Sequence, residues 1–300
     1  MKLASFHLLD DDARALSRTG VVTDAGMIDV SDIVVTLDVE SQSPGVVPHG
    51  MARLLAGGSR AMAQVREAAA GAAQTRALPM SSIRLLAPVP RPGKIVAIGR
   101  NYAEHAKEAG VAAPDAPRII FKAPSSVVGP GAVVAAPQVS KFDYEVELGV
   151  VIGKLAADVS VDNALDCVAG YCVLNDLSAR EFQVDVSPPQ TTFAKSMTGF
   201  CPLGPWIVTA DEVPDPQHLR LRTWLNDRLM QDGNTSDMIH GVRQIVSYAS
   251  RYMNLEPGDV IATGTPAGVG MGFTPPIWLK PGDRLRLEVE GIGVLENTIG

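Results

Sequence analysis

Two glutamates stand one residue apart in an apolar segment, residues 141–149 (KFDYEVELG), and this pair constrains the fold most. Side chains alternate between the two faces of a β-strand, so Glu145 and Glu147 must point to one side of it. Val146 and Leu148 then point to the other side, into a core. Like charges that neighbour each other on one face repel, so the pair requires either water or a bound cation.

Carboxylate oxygens are hard ligands that suit Mg²⁺, Mn²⁺ or Ca²⁺ better than zinc or copper. Asp176, in residues 174–180 (LNDLSAR), is a third acid that could join the two glutamates. The alternative is the solvated face of an ordinary amphipathic strand, because short motifs match by chance in many proteins. The other motifs of the chain decide between the two interpretations.

Composition excludes several classes of function. The chain has 300 residues and a net charge of -7 without a Lys/Arg cluster, which argues against a nucleic-acid partner. We find neither an apolar run that could span a membrane nor a secretory signal, and the three cysteines include no paired motif. We therefore expect a cytoplasmic enzyme with free, buried thiols and no membrane partner.

The composition and the pattern of apolar residues change twice along the sequence. Residues 1–80 predict a small N-terminal α/β domain, with a hairpin within residues 20–30 and an Ala-rich helix over 51–77 interrupted at Gly57 and Gly58. Residues 81–93 are proline-rich and predict a linker. Residues 94–300 contain many short apolar runs separated by Pro and Gly, which predict a β-rich domain with helices at 102–109 and 238–254.

A histidine and a glutamate are spaced for contact in the first of these helices. His105 and Glu108 lie one turn apart, and a carboxylate beside an imidazole orients the ring and raises its basicity. Such a pair can activate water as a general base. The alternative is a surface pair that contributes only a few tenths of a kcal/mol to stability.

Further polar residues follow the metal candidates. Arg180 could bind a substrate carboxylate through two hydrogen bonds, and Gln183 could add a neutral contact. Lys195 lies in an apolar stretch, where a buried ammonium needs an anionic partner. The alternatives are a polar loop and an exposed lysine.

A glycine-rich segment, residues 264–272 (GTPAGVGMG), follows a predicted strand. It is not a dinucleotide site, because the prolines that follow it exclude the helix that would hold a pyrophosphate. It also lacks the Gly-Lys-Ser/Thr ending of a P-loop. We expect its backbone amides to approach a small anionic ligand.

Taken in order, these motifs resemble the fumarylacetoacetate hydrolase superfamily from about residue 94 to the end of the chain. The segments that carry the resemblance are residues 100–105 (RNYAEH), 143–153 (DYEVELGVVIG), 175–180 (NDLSAR), 194–195 (AK) and 264–272. The resemblance implies an α+β protein whose catalytic domain is a β-rich mixed-sheet roll, preceded by a small N-terminal α/β domain. It also implies a homodimer.

The resemblance also implies roles for individual residues. Mg²⁺ or Mn²⁺, with Ca²⁺ as a further candidate, would bind to Glu145, Glu147 and Asp176. The catalytic residues would be His105 and Glu108, on a mobile lid within residues 101–117, together with Lys195. Substrate contacts would come from Arg100, Tyr102, Arg180, Gln183, Gly264 and Thr265. The hydrolase that names the family has a fourth acidic ligand upstream, but residues 121–126 (FKAPSS) contain no acid, which implies three protein ligands.

The implied reaction is hydrolysis of a C–C bond in a β-diketo acid, such as an acylpyruvate or a fumarylpyruvate-like compound. Decarboxylation or isomerisation of a 2-oxo diacid, in aromatic-acid or sugar-acid breakdown, is open on the same site. A non-enzymatic relative that only binds small molecules is the third reading. The complete set of His105, Glu108 and three acids argues against it, and an absence of metal binding would favour it.

Overall fold

The computed structural model describes residues 1–12, 15–39, 47–72, 76–108, 110, 112, 114–136 and 138–300. The described helices are few and short, and none of them is long and apolar enough to cross a membrane. They are α1 (Ser31–Thr36), α2 (Gly50–Ala56), α3 (Gly58–Ala72), α4 (Ala103–Glu108), α5 (Thr191–Ala194) and α6 (Val242–Tyr252).

Strands dominate the described chain, as the short apolar runs predict. In order they are β1 (Lys2–Leu8), β2 (Arg18–Thr23), β3 (Gly26–Asp29), β4 (Ile83–Leu85), β5 (Ile95–Gly99), β6 (Arg118–Lys122), β7 (Val127–Val128), β8 (Val133–Val134), β9 (Phe142–Asp143), β10 (Val146–Ile152), β11 (Val168–Asn175), β12 (Ser178–Ala179), β13 (Cys201–Thr209), β14 (Arg220–Leu225), β15 (Arg228–Asn234), β16 (Val260–Ala262), β17 (Arg284–Val289) and β18 (Gly293–Ile299).

These strands form three open sheets. The large sheet runs β3-β2-β1-β13-β11-β10-β16-β5-β6, with β4 beside β1 and β7 beside β13. A second sheet runs β15-β14-β17-β18-β8, and β9 pairs with β12. Most pairs are antiparallel, but β16 runs parallel to β5, β13 to β7 and β18 to β8. The predicted α+β class with a β-rich, mixed-sheet catalytic region is therefore confirmed.

Strand β10 lies near the centre of the large sheet and is buried along its whole length. Val146, Leu148 and Val150 face the core between the two main sheets, whereas Val151 faces a second core under α2 and α3. Glu147 shares the parity of Val151, so it lies on the helix side of the sheet. The alternation expected from the sequence is thus present, although the strand begins one residue after Glu145.

The N-terminal segment extends the large sheet. Strand β1 pairs with β13, with Leu3 opposite Ile207, and β2 and β3 continue outwards from β1. The predicted hairpin within residues 20–30 is confirmed by β2 and β3. The division at residues 80 and 94 stays a prediction, and β4, inside the predicted linker, also pairs with β1.

The predicted helices are present at the expected positions, but the predicted ranges are longer than the helices observed. The predicted break in the Ala-rich helix occurs where α2 ends at Ala56 and α3 begins at Gly58, and residues 73–75 lie outside the described residues. Helix α6 begins at Val242, four residues later than predicted, because Met238 instead pairs with the backbone of Tyr102. The three cysteines are buried and free, as expected.

Gly170 in β11 tests how tightly the central sheet is packed. A Cβ at this position would lie 2.2 Å from the carbonyl oxygen of Val208, whereas a Cβ at Gly71 in α3 would meet no atom within 4 Å. We expect Gly170→Ala to lower the free energy of unfolding by about 1–3 kcal/mol, the usual cost of overpacking. Gly71→Ala should raise it by up to about 1 kcal/mol, since alanine favours helix.

Urea unfolding of the two variants checks this prediction. The same chemical change should shift the midpoint in opposite directions. Equal midpoints for Gly170→Ala and the unchanged protein would contradict the close approach of β11 and β13.

Candidate active site

Three buried acids meet at one end of β10. Single carboxylate oxygens of Glu145, Glu147 and Asp176 all lie within 4.8 Å of one another. Asp176 reaches the glutamates because β10 and β11 pair up to Val146 and Asn175, after which the Asp176 amide donates to the Glu145 carbonyl at 2.9 Å. The alternation of one strand therefore places two acids, and the pairing of two strands adds the third.

Two buried lysines compensate part of this negative charge. The Lys195 ammonium donates to Glu145 Oε2 at 2.8 Å and to Asp176 Oδ2 at 2.5 Å. The Lys122 ammonium donates to Asp176 Oδ1 at 2.5 Å and also to the carbonyls of Lys195 and Phe200. Asp176 is thus held from both sides, and Lys122 also fixes the backbone that carries Lys195.

Arg180 adds a third positive charge, which approaches Glu145 from another direction. Its Nη2 lies 2.6 Å from Glu145 Oε1, and its Nε donates to Asp143 Oδ2 at 2.8 Å. Its Nη1 donates to Gln183 Oε1 at 2.9 Å. Two carboxylates and one amide therefore fix the guanidinium of Arg180, which in this state presents its donors to protein groups.

The two glutamates differ electrostatically. Burial favours the neutral form of Glu145, but the charges of Lys195 and Arg180 outweigh burial and hold its pKa well below the ordinary value. Burial raises the pKa of Glu147 well above the ordinary value, and the charges of Asp176 and Glu145 add to this effect. Glu147 accepts a hydrogen bond from the Gly264 amide at 2.8 Å, but no cationic side chain of the described chain lies within ion-pair distance of it.

The histidine and the glutamate of α4 contact each other, as predicted. His105 Nδ1 lies 3.3 Å from Glu108 Oε2, and His105 is buried. Glu108 also accepts a hydrogen bond from the Gly268 amide at 3.1 Å. Since Nδ1 faces Glu108, the other ring nitrogen of His105 is available to the cavity. Of the predicted helix and lid, residues 109, 111 and 113 lie outside the described residues.

The glycine-rich segment differs from its prediction. Its amides were expected to approach a small anionic ligand, but they bind carboxylates of the protein itself. Gly264 donates to Glu147, Gly268 to Glu108, and both Gly270 and Met271 to Asp143. A Cβ on Gly272 would lie 1.9 Å from Glu108 Oε1, so a side chain at this position would displace the Glu108 carboxylate.

A cavity of about 160 Å³ opens beside the three acids. The predicted site residues that line it are Arg100, His105, Glu145, Glu147, Asp176, Arg180, Gln183, Lys195, Gly264 and Thr265. Glu108 does not line it and contacts it only through His105. The Thr265 hydroxyl accepts a hydrogen bond from Gln231 Nε2 at 2.7 Å.

Tyr102 is not brought to the cavity wall, although it was expected to contact substrate. Its backbone pairs with Met238, and its side chain is buried in the core between the two main sheets. Its hydroxyl has no hydrogen-bond partner among the described residues, and burial raises its pKa well above the ordinary value. The pattern of the sequence placed it correctly at the start of α4, but the direction of its side chain depends on tertiary packing.

Sequence reasoning did not assign a role to four residues of this region, namely Lys122, Asp143, Gln231 and Arg118. Lys122 is the one that sequence could have revealed, because it lies two residues after Ile120 and therefore on the same, buried face of β6. It lies in the stretch 121–126, which has no fourth acid and instead supplies a cation. Asp143 and Gln231 bind groups that are distant in sequence, which local pattern cannot show.

Comparison with known proteins agrees with this geometry. Residues 94–300 match the family described as fumarylacetoacetate (FAA) hydrolase C-terminal. The match covers more than half of the chain, which therefore belongs to the fumarylacetoacetate hydrolase superfamily.

Three relatives illustrate the range of the superfamily. The human mitochondrial oxaloacetate tautomerase FAHD2A is 41% identical over 254 residues, 84% of this chain and 80% of that protein. The maleylpyruvate hydrolase from Sphingobium sp. SYK-6, solved with manganese(II) and pyruvate, is 32% identical with a TM-score of 0.79, over 100% of this chain and 98% of that one. The 2-hydroxyhepta-2,4-diene-1,7-dioate isomerase from Mycobacterium marinum is 35% identical with a TM-score of 0.70, over the same shares.

The buried ammonium of Lys122 provides a test of the charge balance. Lys122→Met should lower the free energy of unfolding of the metal-free protein by about 3–5 kcal/mol, because it removes one of the two ammonium groups that balance the buried acids. The control is Lys107→Met, since Lys107 is 79% exposed and lies 3.6 Å from Glu104. This control should change stability by less than about 0.5 kcal/mol.

Denaturant unfolding in the presence of a chelator measures both variants. Chelation matters because a bound cation could replace the missing ammonium charge. If Lys122→Met is no less stable than Lys107→Met, Lys122 does not balance the acids.

Proposed function

We propose that Glu145, Glu147 and Asp176 hold one divalent cation, Mg²⁺ or Mn²⁺, with Ca²⁺ as a further candidate. The observation that supports this is Glu147, a buried carboxylate beside two others with no cationic side chain of the described chain against it. Three hard oxygen donors suit these ions. A bound ion would supply positive charge that polarises a carbonyl and stabilises an enolate.

We propose a 2-oxo acid or β-diketo acid as the substrate. The cavity of about 160 Å³ suits a small molecule, and its wall combines the three acids with Lys195, Arg180 and His105. The manganese-containing relative was solved with pyruvate, a 2-oxo acid. Lys195 would add positive charge where an oxyanion develops.

The reaction that the site supports best is hydrolysis of a C–C bond in a β-diketo acid. The bond cleaved joins the central carbon to the carbonyl carbon remote from the carboxylate. His105, oriented by Glu108 at 3.3 Å, takes a proton from water. The hydroxide adds to the carbonyl remote from the carboxylate, and the bond to the central carbon breaks. That carbon keeps the electron pair as an enolate and receives the proton from His105. The products are a carboxylic acid and a 2-oxo acid, pyruvate in the case of an acylpyruvate.

Tautomerisation, isomerisation or decarboxylation on the same site is the second candidate. The specific observation in its favour is the 41% identity with the human oxaloacetate tautomerase over most of both chains. Tautomerisation needs a base that moves one proton on carbon and consumes no water. Product analysis separates the reactions, because hydrolysis gives two carbon products, decarboxylation gives CO₂, and isomerisation gives neither.

We also propose an oligomeric state and a cellular location for the protein. We expect a homodimer, because sheets with exposed edges and the family resemblance both favour self-association. A cytoplasmic location and a separate N-terminal domain up to residue 80 remain predictions from the sequence.

The base is tested by His105→Ala with an acylpyruvate and Mg²⁺ or Mn²⁺. We expect hydrolysis to fall by roughly 10²–10⁴-fold, the usual contribution of a positioned base. Glu108→Gln should act in the same direction, and the double variant should be little worse than either, because paired groups act as a unit. Decarboxylation of oxaloacetate should fall less, since the three acids are unchanged.

His218→Ala is the matched control, because His218 also pairs with an acid three residues away but is exposed. It should retain full activity. Rates followed by NMR distinguish the products directly. Full hydrolysis by His105→Ala would show that the His105–Glu108 pair is not the base.

A further inference from the structure

One buried glutamine connects the second sheet to the site. Gln231 lies on β15 and is fully buried. Its Oε1 accepts hydrogen bonds from the Val146 amide at 3.0 Å and from the Thr223 hydroxyl at 2.9 Å. Its Nε2 donates to Thr265 Oγ1 at 2.7 Å and to the Pro266 carbonyl at 2.9 Å. All four hydrogen-bonding positions of this side-chain amide are therefore used.

Two backbone groups fix the orientation of the Gln231 amide. The Val146 N–H can only donate, so the amide atom that faces it must be the oxygen. The Pro266 carbonyl can only accept, so the amide atom that faces it must be the nitrogen. Rotating the amide by half a turn would bring two donors together at Val146 and two acceptors together at Pro266. Nε2 is therefore the donor toward Thr265.

The direction of this hydrogen bond determines what the Thr265 hydroxyl can do. Its oxygen accepts from Gln231, so its own hydrogen is left to donate elsewhere. No acceptor for that hydrogen lies within hydrogen-bond distance in the described part of the chain. Thr265 is buried and lines the cavity beside the three acids. A buried donor without an acceptor is costly, and an oxygen of a ligand in the cavity would remove that cost.

The same amide also fixes the strand that carries the acids. Val146 lies between Glu145 and Glu147, so its hydrogen bond to Gln231 holds the backbone from which both glutamates project. Gln231 does not line the cavity itself. One buried side chain thus sets the position of the Thr265 hydroxyl relative to the two glutamates.

We propose that Gln231 is a positioning residue that makes the Thr265 hydroxyl a hydrogen-bond donor to an oxygen of the bound 2-oxo acid. The family resemblance implies a substrate contact for Thr265 but assigns no role to Gln231. The inference rests on the proposed function, in which a 2-oxo acid binds beside the three acids. Gln231 acts only through Thr265, because it donates to the hydroxyl oxygen and leaves the hydroxyl hydrogen for the ligand.

Gln231→Glu tests this role because it reverses the polarity with little change of shape. One oxygen of the new side chain can still accept from Val146 and Thr223, whereas the other accepts from the Thr265 hydroxyl, whose hydrogen then turns away from the cavity. We expect the dissociation constant of pyruvate to rise by about 10-fold or more, the order expected for a hydrogen bond to a charged group. The broadening of the pyruvate methyl proton signal by protein-bound Mn²⁺ measures this constant.

Variants of Thr265 complete the experiment. Thr265→Val removes the hydroxyl and should weaken pyruvate binding as much as Gln231→Glu does, whereas Thr265→Ser keeps the hydroxyl and should lose less. Once Thr265 is valine, Gln231→Glu should change pyruvate affinity by less than about 2-fold, because the group through which it acts is gone. Repulsion between the new carboxylate and pyruvate, or a general disturbance of β10, would instead add to the loss. Mn²⁺ affinity, measured from the electron paramagnetic resonance signal of free Mn²⁺, should not fall in any of these variants.

Gln217→Glu is the matched control. Gln217 Oε1 also accepts from a backbone amide, that of Val242 at 2.6 Å, and its Nε2 donates to the Thr235 carbonyl at 2.7 Å. Gln217 does not line the cavity, so this variant should keep the pyruvate affinity of the unchanged protein. If Gln231→Glu does not fold, Gln231→Met replaces it and should likewise weaken pyruvate binding only while Thr265 is present.

The outcomes separate this proposal from the proposed function. Full pyruvate affinity in Thr265→Val or in the Gln231 variant would overturn the positioning role, and so would additive losses in the double variant or a loss of Mn²⁺ affinity. The proposed function stands in each of these cases, because the unchanged protein binds pyruvate together with Mn²⁺. If the unchanged protein binds no pyruvate, the proposed function fails and the positioning role fails with it.

Discussion

The repulsion between three buried carboxylates is the constraint on which the rest of this site depends. Glu145, Glu147 and Asp176 bring ligand oxygens within 4.8 Å of one another, where water cannot fully screen them. Lys122, Lys195 and Arg180 hold two of the three acids through short contacts. Glu147 is left with one backbone amide, and this imbalance is the physical basis on which we propose that the site binds a cation.

The glycine-rich segment links the three acids of the proposed metal site to His105 and Glu108, the proposed catalytic pair. Its amides bind Glu147, Glu108 and Asp143, which belong respectively to the acid cluster, the His105 pair and the Arg180 contact. Each carboxylate gains a charge-assisted hydrogen bond, and each is fixed relative to the others by one short stretch of backbone. The segment therefore fixes the carboxylates of the site relative to one another and does not serve as a phosphate-binding loop.

Sequence alone could predict those parts of the site that depend on local geometry. The spacing of Glu145 and Glu147 predicts a shared face, and the spacing of His105 and Glu108 predicts contact. Asp176 could be named as a candidate third acid, but the pairing of β10 with β11 that brings it beside the glutamates is not readable from either strand. Arg118 escaped prediction because a cation at the start of a short strand has no local sign of its partners, whereas Lys122 could have been inferred from its alternation with Ile120.

The limits on predicting the fold from the sequence have the same physical origin. Strand β15 (RLMQDGN) has a polar sequence with a low intrinsic preference for β-structure. It forms a strand because it pairs with β14. Tyr102 could be placed at a helix start, but its burial in the core depends on a contact with Met238, distant in sequence. Long-range pairing is what the local pattern leaves open.

One divalent ion should bind between the three acids. Crystals grown with Mn²⁺ and measured near the manganese absorption edge can show such an ion. We expect one anomalous peak with an oxygen of each of Glu145, Glu147 and Asp176 at roughly 2.0–2.6 Å, the range of hard-cation ligands. A peak only elsewhere on the protein, or none between these carboxylates at saturating Mn²⁺, would contradict it.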